Sequence, residues 1–362
     1  MSALTIVDLF CGAGGFSLGF QCAGFKVELG IDADEKCVAT FRANFGGAGE
    51  QSKVSLDLVA SLKADVVVGG PPCQPFSLLG SQEELDPRRG LTKQYMDAVE
   101  AISPNAFVIE NVPGYFKSSQ AAYVRRRSKK LGYTVVAEII DAADHGVAQR
   151  RKRAFIIGSR LGTPFFPAAT HHSHKTVHDA IGDLSGLPNN DNWHTPRHPD
   201  DISVLRYCAI PKGGNRFSLP RTLQPPCWRK KPTGSVDVFG RLWWDRPAVT
   251  MRTEFVKPEK GRYLHPEQDR PITAREGARL QSFPDSFAFK GSMTSVVRQI
   301  GNAVPPRLAY RLALALKSHL AGAQGELTSG DCLAGIPRSR AVVQRPSGSQ
   351  DRVLQAELLR EQ

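Results

Sequence analysis

Several features that would settle a protein's class at once are missing from this chain. No apolar run approaches the ~20 residues of a membrane-spanning helix, so a helical membrane protein is excluded. The opening Met1-Ser2-Ala3-Leu4-Thr5 has no charged segment followed by an apolar one, so no secretory signal is expected. The 7 cysteines contain no Cys-x-x-Cys, which removes zinc ribbons and dithiol redox pairs. Their odd number and scattered placement fit a reducing, cytosolic compartment. His171-His172-Ser173-His174 has no carboxylate or cysteine at ligand spacing, so no metal site is expected there. No segment repeats.

What is present is ordinary in composition and basic in charge. The 362 residues suffice for one large domain and a smaller one. Apolar residues make up 41% and charged residues 23%, as in a globular protein. A net charge of +12 and a pI near 9.5 point to a polyanionic partner.

The chain begins as strand, glycine turn and helix. Leu4 to Phe10 reads as a strand, Cys11-Gly12-Ala13-Gly14-Gly15 as the turn, and Phe16 to Phe20 as the helix. Ser17 stands where a dinucleotide fingerprint would place its third glycine, which argues against a nicotinamide enzyme. A second strand, Phe25 to Ile31, ends in Asp32, near the spacing expected of an acid that holds ribose hydroxyls. A helix is expected from Glu35 to Phe45, and Val54-Ser55-Leu56 is read as lying near a third strand end that delivers Asp57. Phe10, Asp32 and Asp57 would then line a cofactor crevice. S-adenosylmethionine suits it, with its ribose on Asp32, its adenine amino group on Asp57, its adenine face on Phe10 and its carboxylate on the turn's amides.

Ala64-Asp65-Val66-Val67-Val68 reads as a buried parallel strand, stopped by Gly69-Gly70-Pro71-Pro72. Cys73 follows on that rigid turn, at the carboxyl end of a strand, where open α/β sheets keep their reactive groups. A lone cysteine is most often a small buried hydrophobe, but packing does not call for Gly-Gly-Pro-Pro before it and Gln74-Pro75-Phe76-Ser77 after it. The polar stretch from Ser81 to Thr92 suits a lid over a site or a plain surface loop. Asn105 to Ile109 is a fifth strand ending in Glu110, beside the strand that carries the cysteine. Val135 to Ile140 and Ala154 to Gly158 are the last strands, the second preceded by Gln149-Arg150-Arg151-Lys152-Arg153. Arg125 to Lys130 reads as a solvated helix face, with phosphate contact as the second reading.

From Thr163 to about Arg246 the pattern loses its periodicity. Trp228-Arg229-Lys230-Lys231 and Arg241-Leu242-Trp243-Trp244 mix bases with aromatics, as nucleic-acid surfaces and small irregular cores both do. Order returns with a Thr273-x-x-Glu276 capping box opening a helix, and with an apolar helix from Arg307 to Leu320. Residues 321–362 read as mostly disordered, with a short helix at Val353 to Arg360.

Taken together the motifs resemble those of the bacterial cytosine-5 DNA methyltransferases over nearly all of residues 4–320. Asp8-Leu9-Phe10-Cys11-Gly12-Ala13-Gly14-Gly15-Phe16, the Pro-Pro-Cys73 turn and Glu110-Asn111-Val112 occur in that family's order. Gln149-x-Arg151-x-Arg153, Arg275-Glu276-x-x-Arg279-Leu280-Gln281-x-Phe283-Pro284-Asp285 and Gln299-Ile300-Gly301-Asn302-Ala303-Val304 complete the series. The resemblance implies a doubly wound, Rossmann-like α/β sheet with one antiparallel strand, binding S-adenosylmethionine, and a smaller irregular target-recognition domain. The divisions would be 1–164 for catalysis and cofactor, 165–300 for target recognition, and 301–320 for a helix returning to the large domain.

The resemblance also assigns roles. Cys73 would add to C6 of a cytosine flipped out of double-stranded DNA, Glu110 would serve N3, and Arg151 and Arg153 would hold the base or its partners. Phe10, Gly12, Gly14, Asp32, Asp57, Asn302 and Val304 would hold the cofactor. Gln74, Ser77, Arg229, Lys230, Lys231 and Arg241 would contact DNA, with Arg229 or Arg241 reading guanine. Ala33 departs from the aromatic common at that position, which leaves adenine stacking to Phe10. The implied protein is a cytoplasmic monomer of a restriction-modification system, whose endonuclease would be no stable partner. A related branch acts on transfer RNA; the length and irregularity of 165–246 favour DNA. A non-catalytic DNA-binding module fits poorly with the intact Cys73, Glu110 and Arg153.

Overall fold

The structure, a computed structural model, describes residues 3–72, 90–169, 173–185, 192–197, 199–230 and 233–323. The chain runs β1 (Thr5–Leu9), α1 (Gly15–Cys22), β2 (Lys26–Asp32), α2 (Glu35–Asn44), β3 (Gly49–Gln51) and α3 (Leu56–Val59). It continues through β4 (Val66–Gly69), α4 (Leu91–Ile102), β5 (Ala106–Asn111), α5 (Ser119–Lys130), β6 (Thr134–Asp141) and β7 (Lys152–Ser159). Then follow only helices and irregular backbone: α6 (Val177–Ile181), α7 (Asp201–Cys208), α8 (Pro226–Lys230), α9 (Ala274–Leu280), α10 (Met293–Asn302) and α11 (Pro306–Leu320).

The strands form one sheet in the order β3-β2-β1-β4-β5-β7-β6, with β7 antiparallel to both its neighbours. Its central strands are mostly apolar because both faces are covered. Ile6, Val66, Val68, Ala106 and Val108 meet Phe16 and Phe20 of α1 and Leu308, Leu312 and Leu316 of α11 on one face. Val7, Leu9, Val67, Phe107 and Ile109 meet Tyr95 and Val99 of α4 and Val124 of α5 on the other. Helix α11 packs on this face of the sheet beside α1. It approaches α1 so closely that a Cβ on Gly19 would lie 2.4 Å from that of Ala309.

One strand differs from expectation. The third is Gly49–Gln51, and Val54-Ser55-Leu56 is not strand. The Ser55 hydroxyl accepts from the Leu58 amide and so opens α3. Asp57 therefore lies exposed in the first turn of a short helix rather than at a strand end. The Thr273–Glu276 capping box is present in both directions at α9.

Residues 165–300 do not share one core. Tyr207, Ile210, Leu219, Phe239 and Leu264 make a small cluster of their own, with Trp228 against it. Met251, Phe255, Tyr263, Phe283, Phe287 and Ile300 instead join Leu18, Phe41 and Phe45 of the first two helices. Asn44 fastens that join, its side chain exchanging hydrogen bonds of 2.9 Å with both backbone groups of Ala288. The tryptophans of the irregular stretch serve packing: Trp228 sits edge-on to Phe239, and Trp244 lies between His178 and His265. No described helix is long and apolar enough to cross a membrane. The expected tail from 324 onward and the lid candidate up to residue 89 lie outside the described residues.

Candidate active site

Strand register sets the site. Ile31 pairs with Leu9, Leu9 with Gly69, and Gly69 with Ile109. The next residues, Asp32, Phe10, Gly70 and Glu110, therefore form one row across the carboxyl edge. Adjacent strands lie about 4.8 Å apart, so Asp32 and Glu110 stand at the ends of a row on the order of 14 Å long. The strand order reverses between β1 and β4, and the crevice of a doubly wound sheet opens at such a reversal.

At one end of the row, Glu110 is buried and its Oε1 meets Nε of Arg153 at 2.9 Å. Arg153 reaches it because β7 runs antiparallel and begins at this edge. Burial pushes the Glu110 carboxyl up, against the opposing pull of Arg153 and Arg151. A Cβ on Gly70 would lie 3.0 Å from Glu110 Oε2, so a side chain here would crowd the acid and glycine leaves it room. Asn111 then donates to the Pro71 carbonyl at 3.1 Å while its own oxygen accepts from the Val112 amide. The turn is thereby tied to β5 two residues before Cys73. Cys73, Gln74 and Ser77 lie outside the described residues.

Arg151 is placed differently from Arg153. It is fully buried and donates to the carbonyls of Met251 and Gly301 at 3.0 and 2.9 Å. It joins the start of β7 to the end of α10, so it holds backbone in place; the carboxylate's hydrogen-bond partner is Arg153. Gln149 extends this joint, donating to the Gln281 side chain, which donates in turn to the Ile300 carbonyl.

At the other end of the row, Asp32 accepts from the amides of Gly12 and Asp34 at 2.9 and 2.8 Å. Burial raises its pKa, partly offset by those amides. The Gly12 amide is taken by Asp32 and the Gly14 amide by the Cys11 carbonyl, so the turn offers a ligand carboxylate fewer amides than expected. Phe10 adopts φ 59° and Gly12 φ 53°. No atom of the described residues lies within 4 Å of where a Cβ on Gly12 would be, so that side of the turn is open. Gly14 is closed, with Phe45 only 2.4 Å from such a Cβ. Val304 enters from the far end of the chain, its carbonyl 2.2 Å from the Cβ position of Gly15, and Asn302 beside it is exposed. Below the turn, Asp8 accepts from the Ser17 hydroxyl at 2.7 Å, and burial, with Asp32 nearby, lifts its pKa to about 7. Ser17 thus has a definite partner at the position where the dinucleotide pattern would require glycine.

The DNA candidates separate. Arg229 and Lys230 are exposed on α8, and Lys231 lies outside the described residues. Arg241 cannot read a base. It is buried, and its guanidinium donates to the carbonyls of Ile210, Tyr207, His265 and Gln268 and to the Asp269 side chain. An arginine in an irregular basic stretch looks the same in sequence whether it braces carbonyls or faces solvent. Of the histidine run, His174 is held between Asp144 and Arg150, and no metal-binding cluster occurs among the described residues. Asn111 was overlooked as a positioning group, although its place directly after Glu110 at a strand end was a usable signal.

A glycine turn after β1, an acid ending β2 and a buried acid on β5, one strand past the reversal, make this an α/β transferase of the Rossmann-like methyltransferase class. Residues 4–318 match the C-5 cytosine-specific DNA methylases, and the chain belongs to that family. It is 36% identical to the Type II methyltransferase M1.HphI of Haemophilus parahaemolyticus, covering 87% of each chain. It is 31% identical to the Type II methylase M.HgiDII of Herpetosiphon aurantiacus, over 88% of this chain and 96% of that one. Among solved structures, a putative DNA modification methyltransferase encoded in an Escherichia coli prophage aligns with TM-score 0.69 at 25% identity, covering 88% of this chain and all of that one. The Dnmt2 methyltransferase of S. pombe shares the fold at TM-score 0.55 and 17% identity, over 87% of this chain and 99% of that one.

Proposed function

We propose that this DNA cytosine-5 methyltransferase modifies one duplex sequence by flipping out a cytosine and bonding its C6 to Cys73, as the modification half of a restriction-modification system. The observation that carries this reading is the buried Glu110–Arg153 pair against Gly70, three residues before Cys73. A cytosine ring entering there would meet the Glu110 carboxyl, and the thiol it needs belongs to Cys73, three residues after Gly70 in the sequence. Stacked in a duplex it could reach neither, so the base must leave the helix.

Cytosine C5 is a weak nucleophile. Attack of the Cys73 thiolate forms an Sγ–C6 bond and moves electron density to C5 and N3. Glu110, protonated more readily because it is buried, supplies a proton to N3 as that charge develops. Arg153 fixes the carboxyl's orientation. S-adenosylmethionine, when bound, supplies an electrophilic methyl group that C5 takes. Loss of the C5 proton to a base then drives the Sγ–C6 electrons back to sulfur, and N3 returns its proton to Glu110. The donor's place is supported by the open side of Gly12 and by Asp32, whose remaining lone pairs suit ribose hydroxyls; Phe10 and Val304 border the same turn. Asp57 is the weakest of the cofactor assignments, given its exposed helical position.

The test is to express the chain in a host without cytosine methylation and map 5-methylcytosine across its genome. Methylation confined to one short sequence is the expected result. Methyl transfer to transfer RNA in parallel assays, with none to DNA, would contradict it.

A further inference from the structure

Among the described residues, the small core around Phe239 is ringed by three buried arginines, Arg216, Arg241 and Arg262. Two of them have acceptors or a carboxylate close by; Arg262 Nε, though without a hydrogen bond, lies 3.5 Å from the Asp237 carboxylate. Arg241 braces four carbonyls, and Arg262 donates to the carbonyls of Gly213, Gly214 and Arg241 while lying 3.8 Å from the centre of the Trp243 ring. Arg216 is the exception. It is 8% exposed, yet Nε and Nη2 have no hydrogen-bond partner. Its guanidinium carbon sits 4.6 Å from the Phe217 ring centre and 5.7 Å from that of Trp228. Desolvating guanidinium N–H groups without an acceptor is costly. The rings compensate part of the charge but none of the two donors.

The free atoms are also the right pair. Nε–H and one Nη2–H lie parallel along a single edge of the guanidinium, the fork that takes two acceptors side by side. Beside Nη2, on the side towards Nη1, stands Gly234, which is exposed and lies at φ 144°. A Cβ there would come within 2.6 Å of Nη2 and 3.4 Å of Cζ. Nη2 is thus flanked on that side by backbone without a side chain. Around it the surface is suited to DNA: Arg229 and Lys230 are exposed on the helix that carries Trp228, and Phe217 is 49% exposed.

We propose that Arg216 is a target-reading residue of this enzyme, its Nε–Nη2 fork taking O6 and N7 of a guanine when DNA binding uncovers it. The inference rests on the proposed function, because it assigns DNA recognition to this small core. Guanine fits better than phosphate. Its two major-groove acceptors match a fixed planar fork, and the flanking aromatic faces favour a flat base edge over a hydrated phosphate.

The experiment compares wild type with Arg216→Gln, Arg216→Lys and Gly234→Ala, mapping 5-methylcytosine in an unmethylated host and measuring thermal melting of each purified protein. Wild type defines the target; if it methylates no DNA, the functional reading fails before Arg216 is tested. Arg216→Lys keeps the charge but loses the fork, and should lose about tenfold to a hundredfold of discrimination at one G·C pair other than the methylated one. Arg216→Gln should relax the same position. Gly234→Ala crowds the fork without removing it and should relax that position too, which keeps the test decisive should a change at Arg216 prevent folding. Equal loss on all sequences, with a reduced salt slope, would make Arg216 a phosphate contact and overturn base reading. An unchanged target in folded variants would overturn the assignment altogether.

Discussion

The two ends of the carboxyl-edge row hold their acids by different means. Asp32 is gripped by backbone amides of Gly12 and Asp34, which are fixed by the fold and carry no net charge. Glu110 is held by one movable side chain, Arg153, in a buried setting. An acid bonded to amides keeps one geometry and suits the holding of a ligand. An acid whose burial competes with nearby cations has its proton affinity under the control of neighbours, and suits proton transfer. The row thus divides into a holding end and a reacting end, with the turn toward Cys73 nearer the second.

Substitutions can break this division, beginning with the largest effect. Cys73→Ser should abolish methyl transfer while S-adenosylmethionine and DNA still bind, because a hydroxyl is far less nucleophilic than a thiolate at neutral pH. Steady-state transfer beside equilibrium binding checks both halves of that statement. Glu110→Gln should lower kcat by about 10²- to 10⁴-fold with little change in cofactor affinity, the range usual for removing a positioned acid or base. Asp32→Ala should show the opposite pattern. Its cofactor KM should rise about tenfold or more, the loss of one charged hydrogen-bonding site, with a smaller change in kcat. If these two variants show the same split between KM and kcat, the division of the row is wrong.

Asp8 should affect turnover least, since it lies beneath the turn on Ser17. It sharpens the comparison through pH instead. Its folded pKa of about 7 exceeds the ordinary 3.8, so between these values the folded state binds more protons than the unfolded. This group's contribution is therefore greatest below about pH 4 and declines as pH rises towards 7, by up to about 1.4 kcal/mol per pH unit. Asp8→Asn still accepts from Ser17 and should remove that component of the slope in denaturant unfolding followed across pH.

Much of the sheet was legible because its strands are short β-branched runs punctuated by glycine, proline and acids. Val66-Val67-Val68 before Gly69-Gly70 announces both a buried strand and its end. The third strand was not, since Gly49-Glu50-Gln51 has no apolar pattern and pairs only at the sheet's edge with β2. Glu110 and Arg153 could be named from sequence. That one should face the other depended on β7 running antiparallel, which motif order alone does not supply. Arg151 illustrates the remaining gap: two residues from Arg153 in the same motif, it turns to the carbonyls of Met251 and Gly301, 100 and 150 residues away. The same long-range bracing hid the difference between Arg241 and Arg216, whose neighbours in sequence say nothing of the carbonyls that one reaches and the other lacks.

Thiol addition is tested most directly by presenting the enzyme, with S-adenosylmethionine, with its mapped target carrying 5-fluorocytosine at the methylated position. Fluorine cannot leave C5 as a proton does, so the Sγ–C6 bond should persist. The expected result is a denaturation-resistant complex of one chain per duplex, absent for Cys73→Ser and for DNA with fluorocytosine elsewhere. Efficient methylation of the unmodified target, with no such complex on the fluorinated one, would contradict a covalent role for Cys73.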